Sequence, residues 1–229
     1  MSSTRLPGKV LKPLAGAPMI LRQVERVRRS RRLNRLVVAT SDRPDDDPLA
    51  EALQAAEVEV YRGPLDDVLV RFLGALAAFP AEHVVRLTGD CPLIDPELID
   101  ATIDLHLAQS ADYSQNRLAA AGYPKGQDVE VITAAALRRA AAEASTPEEH
   151  EHVTWGVWNH PERYRIAWLQ PPVDQGDVRW TVDRPDDLEF VAAVYAALYP
   201  ANPAFTSDDV RAWVQAHPQW ANWGGDRRV

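Results

Sequence analysis

The segment 1–9 combines cationic and hydroxyl side chains in a short loop, a combination that can bind phosphate. Arg5 and Lys9 supply positive charge, Gly8 allows a tight turn, and Ser3 lies among the hydroxyl residues that precede both cations. Such a loop can hold phosphate through backbone N–H groups and cationic side chains. It is not a Walker A loop, because an apolar residue follows Gly8-Lys9 where that motif needs Ser or Thr. Composition alone is equally compatible with an ordinary turn that carries two solvated charges.

Two aspartates far apart in the sequence each follow a predicted strand. Asp90 lies in Thr88-Gly-Asp-Cys-Pro92, and Asp183 lies in Trp180-Thr-Val-Asp-Arg-Pro185. Mg²⁺ prefers oxygen ligands, and two carboxylates at strand ends are what metal-assisted phosphoryl chemistry requires. The alternative is that Asp90 is a turn residue and Asp183 a helix N-cap. Cys91 is interpreted as a packing residue, since no basic neighbour in the sequence would lower the pKa of its thiol.

These segments together resemble the sugar cytidylyltransferases, the superfamily of the CMP-Kdo and CMP-acylneuraminate synthetases. Ser3-Thr-Arg-Leu-Pro-Gly-Lys9 is similar to the family's nucleotide loop, and Thr88–Pro92 is similar to the segment with its first metal-binding aspartate. The segment 182–188 resembles the family's Val-Asp-x-Pro-x-Asp-Leu motif. Within the superfamily, the chain is most similar to the spore-coat polysaccharide F branch. The resemblance covers nearly the whole chain and is best at both ends.

The resemblance implies a nucleotidyltransferase that transfers CMP from CTP to a sugar acid or related acceptor and releases pyrophosphate. This reaction would belong to the synthesis of surface polysaccharide precursors. It implies Mg²⁺ as the cofactor, held by Asp90 and Asp183, with Arg5 and Lys9 binding the departing phosphates, so that these four residues are the catalytic set. The implied nucleotide site consists of Ser3, Arg5, Gly8, Lys9, Asp67, Arg71 and Asp90, and the implied acceptor site of Asp128, Glu130 and His152.

Each weaker assignment has a structural alternative. Asp67 and Arg71 are charges of the kind that cap and solvate a helix. Asp128 and Glu130 alternate on one face of a predicted strand, which could line a pocket or simply be solvated. His150 and His152 are two positions apart and would not share a helix face, so they are not interpreted as a metal-binding pair.

Two other functional classes compete with the cytidylyltransferase interpretation. A glycosyltransferase of the same fold usually carries Asp-x-Asp after a strand, whereas Asp90 is followed by Cys and Pro. A truncated, non-catalytic homologue is the second alternative. In the family an apolar strand ending in Ala-Arg leads into the nucleotide loop, while this sequence starts with the loop. We therefore expect Met1 to be an internal methionine, the natural protein to begin about ten residues upstream, and a central strand to be missing here.

Strand and helix patterns alternate along the chain and must position these residues. Strands are predicted at 36–40, 58–61, 84–88, 128–132, 164–169 and 179–182. Helices are predicted at 17–30, from 45 onward, and at 67–79, 96–107, 134–144, 147–159, 186–198 and 207–216, with a loose tail at 222–229. This order predicts an α/β fold, a three-layer αβα sandwich with a mostly parallel sheet. The resemblance narrows it to the nucleotide-diphospho-sugar transferase (GT-A-like) fold, whose ligands lie at the carboxyl ends of the strands.

Composition limits the remaining possibilities. The 229 residues fit a single domain, with residues of about 110–180 as an acceptor or dimerisation subregion. The net charge of −8 disfavours nucleic-acid binding. The sequence has no apolar run approaching 18 residues, so it predicts no membrane span. A single cysteine fits the reducing cytoplasm. All seven Trp lie between Trp155 and Trp223, where they either fill the core or contribute to the homodimer that the resemblance implies.

Overall fold

The computed structural model describes residues 3–116, 122–175 and 178–220, so the predicted tail lies outside the described residues. The described strands are β1 (Pro13–Leu14), β2 (Ala17–Pro18), β3 (Val37–Ser41), β4 (Glu59–Gly63), β5 (His83–Arg86), β6 (Tyr113–Gln115), β7 (Glu130–Thr133) and β8 (Ile166–Trp168). The described helices are α1 (Met19–Val27), α2 (Asp47–Ala55), α3 (Val68–Ala78), α4 (Pro96–Ala108), α5 (Ala134–Glu143), α6 (Pro147–Glu151), α7 (Trp155–Trp158), α8 (Pro185–Leu198) and α9 (Ser207–Ala216). Short 3-10 helices occupy Lys9–Leu11, Pro44–Asp46 and Pro218–Trp220.

The α/β fold is confirmed, and its strands form two larger groups. β3 and β4 pair in parallel, with Val37 opposite Glu59 and Ser41 opposite Gly63. The other four form a mixed sheet in the order β5-β7-β6-β8. In that sheet β7 runs antiparallel to both β5 and β6, while β6 and β8 are parallel.

The same two helices cover both groups of strands. On one face, Ile20 and Val24 of α1 share an apolar cluster with Val38, and Val27 of α1 shares another with Val85. On the other face, α3 contacts β3 and β4 and also packs near β5. β3 pairs only with β4 and β5 only with β7, so each has a second edge that pairs with no strand in the described part of the chain.

Three sequence expectations about elements differ from the structure. The segment 179–182 is not a strand: the N–H groups of Trp180 and Val182 donate to the carbonyls of Lys125 and Asp90 at 2.7 and 2.8 Å, so loops take the bonds that a sheet partner would. The expected helix at 147–159 is two short helices, α6 and α7. β6 was not expected, because its three polar and aromatic residues show no apolar run.

Side-chain caps fix where the helices around the site begin. Asp67 caps α3 by accepting the N–H of Val70, and Asp95 caps α4 by accepting the N–H of Glu97. These contacts satisfy N–H groups that a helix leaves open at its start. None of the helices in residues 3–116, 122–175 and 178–220 has the length and apolarity that crossing a membrane requires.

Candidate active site

Burial and one glycine hold the N-terminal loop in place. Leu6 is buried in the same apolar cluster as Phe190 and Val194 of α8. Ser3 accepts the backbone N–H of Leu6 on its hydroxyl at 3.3 Å, which closes the turn. Gly8 then adopts φ 65°, a left-handed conformation that side chains disfavour, and leads into the 3-10 helix of residues 9–11. The loop therefore presents its cations from a fixed backbone.

The ammonium group of Lys9 lies between the two predicted metal-binding aspartates. Its Nζ donates to Asp90 Oδ2 at 2.9 Å, to Asp183 Oδ1 at 2.8 Å and to the carbonyl of Val182 at 2.7 Å. A lysine has three N–H donors, and all three are used here. The Lys9 side chain is 13% exposed, so the contacts are partly shielded from water. The structure thus brings together residues that are more than 170 positions apart.

The two carboxylates change the proton affinity of Lys9, and Lys9 in turn changes that of Asp183. Burial alone would lower the pKa of Lys9, but Asp90 and Asp183 raise it above its ordinary value. Burial would raise the pKa of Asp183, but Lys9 and Arg179 lower it well below its ordinary range. Lys9 and Asp183 are therefore both charged at neutral pH.

Arg5 and Arg179 add two further cations to Asp183. Arg5 Nη2 lies 3.2 Å from Asp183 Oδ1 with its side chain 58% exposed. Arg179 Nη2 donates to Asp183 Oδ2 at 2.7 Å, and its Nε donates to Asp187 Oδ1 at 3.0 Å. Arg179 was missed in the sequence, although its four-residue steps to Asp183 and Asp187 were a usable signal. All four predicted catalytic residues lie in this one cluster. We call it the Lys9 cluster; it consists of Arg5, Lys9, Asp90, Arg179, Asp183 and Asp187.

Asp187 fixes the backbone that carries Asp183. Its Oδ2 accepts the N–H groups of Asp183 at 2.7 Å and Arg184 at 2.9 Å, at the start of α8. The side chain is 1% exposed. This arrangement satisfies open N–H groups of the helix and sets the direction of the Asp183 side chain.

The carboxylate pair is compatible with a magnesium ion whose other ligands are phosphate oxygens and water. Within the described ranges, no group of three or more His, Cys, Asp or Glu side chains is placed to hold a metal. Asp90 and Asp183 nevertheless converge on a single cation, the Lys9 ammonium. Mg²⁺ commonly takes one or two protein carboxylates, with waters and substrate phosphates as its other ligands. Two converging carboxylates beside a cationic loop match that donor set.

Cys91, next to Asp90, is a packing residue, in agreement with the sequence interpretation. It is 4% exposed. Burial, together with the charge of Asp90, raises the pKa of its thiol well above the ordinary value. A thiol in this state is a poor nucleophile at neutral pH.

Asp67 and Arg71, which were predicted to belong to the nucleotide site, lie in a separate cluster at the start of α3. Asp67 caps the helix and also contacts His150 Nδ1 through its Oδ2 at 2.8 Å. Arg71 Nη1 donates to the carbonyls of Pro64 at 2.7 Å and Leu65 at 3.3 Å. Burial lowers the pKa of Arg71. None of the contacts described for Asp67 or Arg71 reaches the Lys9 cluster, and the role of His150 was not evident from sequence spacing.

Glu130 lies in a largely shielded hydrogen-bond network. It accepts hydrogen bonds from Arg86 Nη1, from the Tyr113 hydroxyl at 2.7 Å and from the Thr154 hydroxyl at 2.7 Å. Arg86 and Glu130 are directly opposite each other in the β5–β7 pair. Burial would raise the pKa of Glu130, but Arg86 and the two hydroxyls hold it below its ordinary value. Both carboxylate oxygens are therefore already engaged.

Asp128 and His152, the other predicted acceptor residues, have different surroundings. β7 begins at Glu130, so Asp128 does not alternate with it along a strand, which corrects the sequence expectation. Asp128 Oδ2 accepts the N–H of Gly126 at 3.0 Å. Gly126 has φ 101°, and a Cβ there would lie 2.7 Å from the Thr181 nitrogen, so only glycine fits. His152 is the C-cap that follows α6, and its ring lies 5.8 Å from that of Trp155.

Comparison with known proteins identifies the family. The sequence profile described as cytidylyltransferase matches residues 1–165. The spore coat polysaccharide biosynthesis protein SpsF of Bacillus subtilis is 38% identical over 202 residues, 85% of this chain and 82% of that protein. A 3-deoxy-manno-octulosonate cytidylyltransferase of Anaeromyxobacter dehalogenans is 44% identical over 105 residues, 44% of this chain and 41% of that protein.

A solved cytidylyltransferase structure from Leptospira borgpetersenii has the same fold. It superposes with a TM-score of 0.90 at 28% identity, over 96% of this chain and 92% of that one. The family profile and these relatives show a nucleotidyltransferase. The chain belongs to the cytidylyltransferase family, which confirms the resemblance noted in the sequence.

Proposed function

We propose that this protein transfers CMP from CTP to a sugar acid or related acceptor, with release of pyrophosphate. The observation that carries the proposal is the convergence of Arg5, Lys9, Asp90 and Asp183 on one point. Such a cluster can bind a triphosphate and a divalent ion together. The names of the relatives, a 3-deoxy-manno-octulosonate cytidylyltransferase and a spore coat polysaccharide biosynthesis protein, support a sugar acceptor and a pathway to surface polysaccharide.

In the proposed reaction the oxygen of an acceptor hydroxyl attacks the α-phosphorus of CTP in line, and the hydroxyl proton passes to solvent. The bond from that phosphorus to the bridging oxygen breaks, and pyrophosphate leaves. Asp90 and Asp183 would hold Mg²⁺, which when bound would neutralise charge on the phosphates. Arg5 and Lys9 bind the departing β- and γ-phosphates, and a preorganised donor of this kind contributes roughly 3–4 kcal/mol to the transition state.

Recognition of the cytosine base and of the acceptor is assigned to residues outside the Lys9 cluster. Asp67 and Arg71 are proposed to border the nucleotide at the start of α3. Asp128 and His152 are proposed to contact the acceptor. Glu130 is proposed as a positioning residue, because its oxygens are taken by Arg86, Tyr113 and Thr154. It would hold Arg86, whose side chain is 21% exposed, in place for the acceptor.

In the cell, we propose that the protein is a cytoplasmic homodimer. Its proposed ligands are CTP and a small anionic sugar, without nucleic-acid or membrane partners. Light scattering on a sizing column measures the mass directly. A monomer over the range of concentrations at which the enzyme is active would contradict the dimer.

Pyrophosphate release tests the proposed reaction. The purified protein is incubated with each of the four ribonucleoside triphosphates, a panel of sugar acids and amino sugars, and either Mg²⁺ or EDTA. We expect release with CTP and one acceptor class, and none in EDTA. Turnover of a preformed nucleotide sugar without use of a triphosphate would instead establish the glycosyltransferase alternative.

A further inference from the structure

Lys9 occupies the position that a metal ion between Asp90 and Asp183 would need. Its Nζ is 2.9 Å from Asp90 Oδ2 and 2.8 Å from Asp183 Oδ1. A third contact, 2.7 Å to the Val182 carbonyl, uses its last N–H. An ion that bridges the same two oxygens cannot enter while the ammonium group stays there.

The charges around this point also give a free divalent ion little net attraction. Three cations, Lys9, Arg5 and Arg179, surround three carboxylates, Asp90, Asp183 and Asp187. These six groups have no net charge, so the cluster as a whole gives a second cation little long-range attraction. Lys9 is tethered to a fixed loop, so its effective concentration at the two carboxylates is high. An ion in solution that competes for the same carboxylates lacks this advantage.

Resting on the proposed function, we propose that Lys9 excludes the divalent ion from the empty enzyme and that the triphosphate of CTP removes this block. The phosphates offer Lys9 new acceptors, so its ammonium leaves the two carboxylates and the ion takes its place. Arg5 is the most exposed cation of the cluster, at 58%, and makes the first phosphate contact. Arg179 keeps its bond to Asp183 Oδ2 during the exchange, so the carboxylate stays aimed at the ion.

The proposal predicts that tight metal binding requires the nucleotide and that this requirement depends on the Lys9 side chain. Equilibrium dialysis with Mn²⁺ as the probe measures protein-bound metal with and without CTP, in the absence of acceptor. The proteins compared are the unmodified chain, Lys9→Met, Lys9→Gln and the control Lys12→Met. Lys12 lies three residues away, and its backbone contacts do not involve the removed side chain. Lys9→Gln keeps an amide donor beside the carboxylates, and thermal melting reports whether each variant is folded.

Without CTP, we expect weak Mn²⁺ binding to the unmodified chain and to Lys12→Met. Both Lys9 variants should bind Mn²⁺ at least about tenfold more tightly, since the loss of a charge-assisted contact frees two carboxylates. With CTP, the unmodified chain should gain affinity for Mn²⁺.

Two results would overturn the proposal in different ways. If folded Lys9 variants bind Mn²⁺ no better than the unmodified chain without CTP, while CTP still promotes binding to the latter, the exclusion by Lys9 is wrong and the metal site stands. If CTP does not promote Mn²⁺ binding to the unmodified chain, the inference fails together with the metal assignment in the proposed function.

Discussion

Two charged clusters lie near the carboxyl end of β5, and they differ in how many contacts a ligand could replace. In the Lys9 cluster, Lys9 is 13% exposed, Asp90 is 25% exposed and Arg5 is 58% exposed. In the second cluster, Glu130 is 13% exposed and its partner Tyr113 is fully buried. The first cluster thus has a cation that is more than half exposed, whereas the most exposed charged side chain of the second, Arg86, is 21% exposed.

The partners in the two clusters differ as well. In the Lys9 cluster, Arg5 and Lys9 can exchange a carboxylate partner for phosphate, and Asp90 and Asp183 can exchange a cationic partner for a metal ion. Asp187, 1% exposed, stays bound to the backbone at the start of α8. Glu130 has one cationic partner and two neutral hydroxyl donors that cannot leave without exposing a buried charge. A buried, saturated ion pair fixes structure, and breaking it is costly. The comparison therefore supports the proposal that the first cluster takes part in the chemistry and the second positions side chains.

Neutralising either aspartate of the Lys9 cluster should have the largest effect. Asp90→Asn and Asp183→Asn are each expected to lower kcat by about 10²–10³-fold, the loss seen when one preorganised electrostatic group is removed. The double variant should be hardly worse than either single variant, because residues that act as a unit are not additive. Steady-state pyrophosphate release measures all three. Losses that multiply would count against one shared metal site.

Removing Glu130 should act on stability instead of on kcat. Glu130→Ala leaves Arg86 buried without its partner, and we expect a loss of about 3–5 kcal/mol in the free energy of unfolding. Urea unfolding gives this value. The control Glu59→Ala breaks an exposed pair with Arg35 and should leave the urea midpoint nearly unchanged. A fully stable Glu130→Ala protein that has lost kcat would show that the carboxylate takes part in chemistry.

Acid should weaken the Glu130 cluster in a way that identifies its carboxylate. The folded-state pKa of Glu130 lies below its ordinary value of 4.5. The stabilisation that Glu130 contributes is therefore complete above about pH 4.5, the pKa of the unfolded chain, and is lost as pH falls through the lowered pKa of the folded protein. Melting temperatures between pH 3 and pH 7 should fall on the acid side, and Glu130→Gln should flatten that fall. An unchanged acid slope in the variant would remove Glu130 as its source.

The sequence predicted the Lys9 cluster better than the Glu130 cluster, for a physical reason. Arg5, Lys9, Asp90 and Asp183 lie in three short motifs whose residue order already identifies them in the sequence. Parallel strands do not explain their convergence, because 179–182 is not a strand and β5 pairs antiparallel with β7. Arg179 and Asp187 complete the cluster through contacts within one turn and one helix start. The environment of Glu130 depends on Tyr113 and Thr154, which lie at sequence distances of 17 and 24 from Glu130 and contact it only once the chain is folded.

Most helices and strands were predicted within a few residues, because apolar periodicity and caps mark them locally. The segment 179–182 has the composition of a strand, yet its N–H groups bond to loops, and only the folded structure decides such long-range pairing. The expectation of a central strand upstream of the N-terminal loop stays a prediction. The structure adds the observation that β3 and β5, covered by the same helices, each have an unpaired edge among the described strands.

Arg5 should show the smallest effect and thereby distinguish the exposed part of the Lys9 cluster from its shielded part. Its contact to Asp183 is long, 3.2 Å, and the side chain is 58% exposed, so water already competes for it. Arg5→Gln is expected to change the free energy of unfolding by less than about 1 kcal/mol. Lys9 differs because it is 13% exposed and its three contacts shield Asp90 from Asp183.

The functional consequence of Arg5→Gln follows from the same exposure. An exposed cation that meets phosphate early contributes to binding of the nucleotide before the transition state and within it. Its loss should therefore raise the KM for CTP several-fold, with a smaller change in kcat. Initial rates over a range of CTP concentrations separate the two parameters, and Arg43→Gln, which removes a similarly exposed arginine paired with Asp66, serves as the control. If Arg5→Gln lowers kcat as far as Asp183→Asn does while KM is unchanged, Arg5 acts in the transition state, and exposure would no longer distinguish the roles of the cations around Asp183.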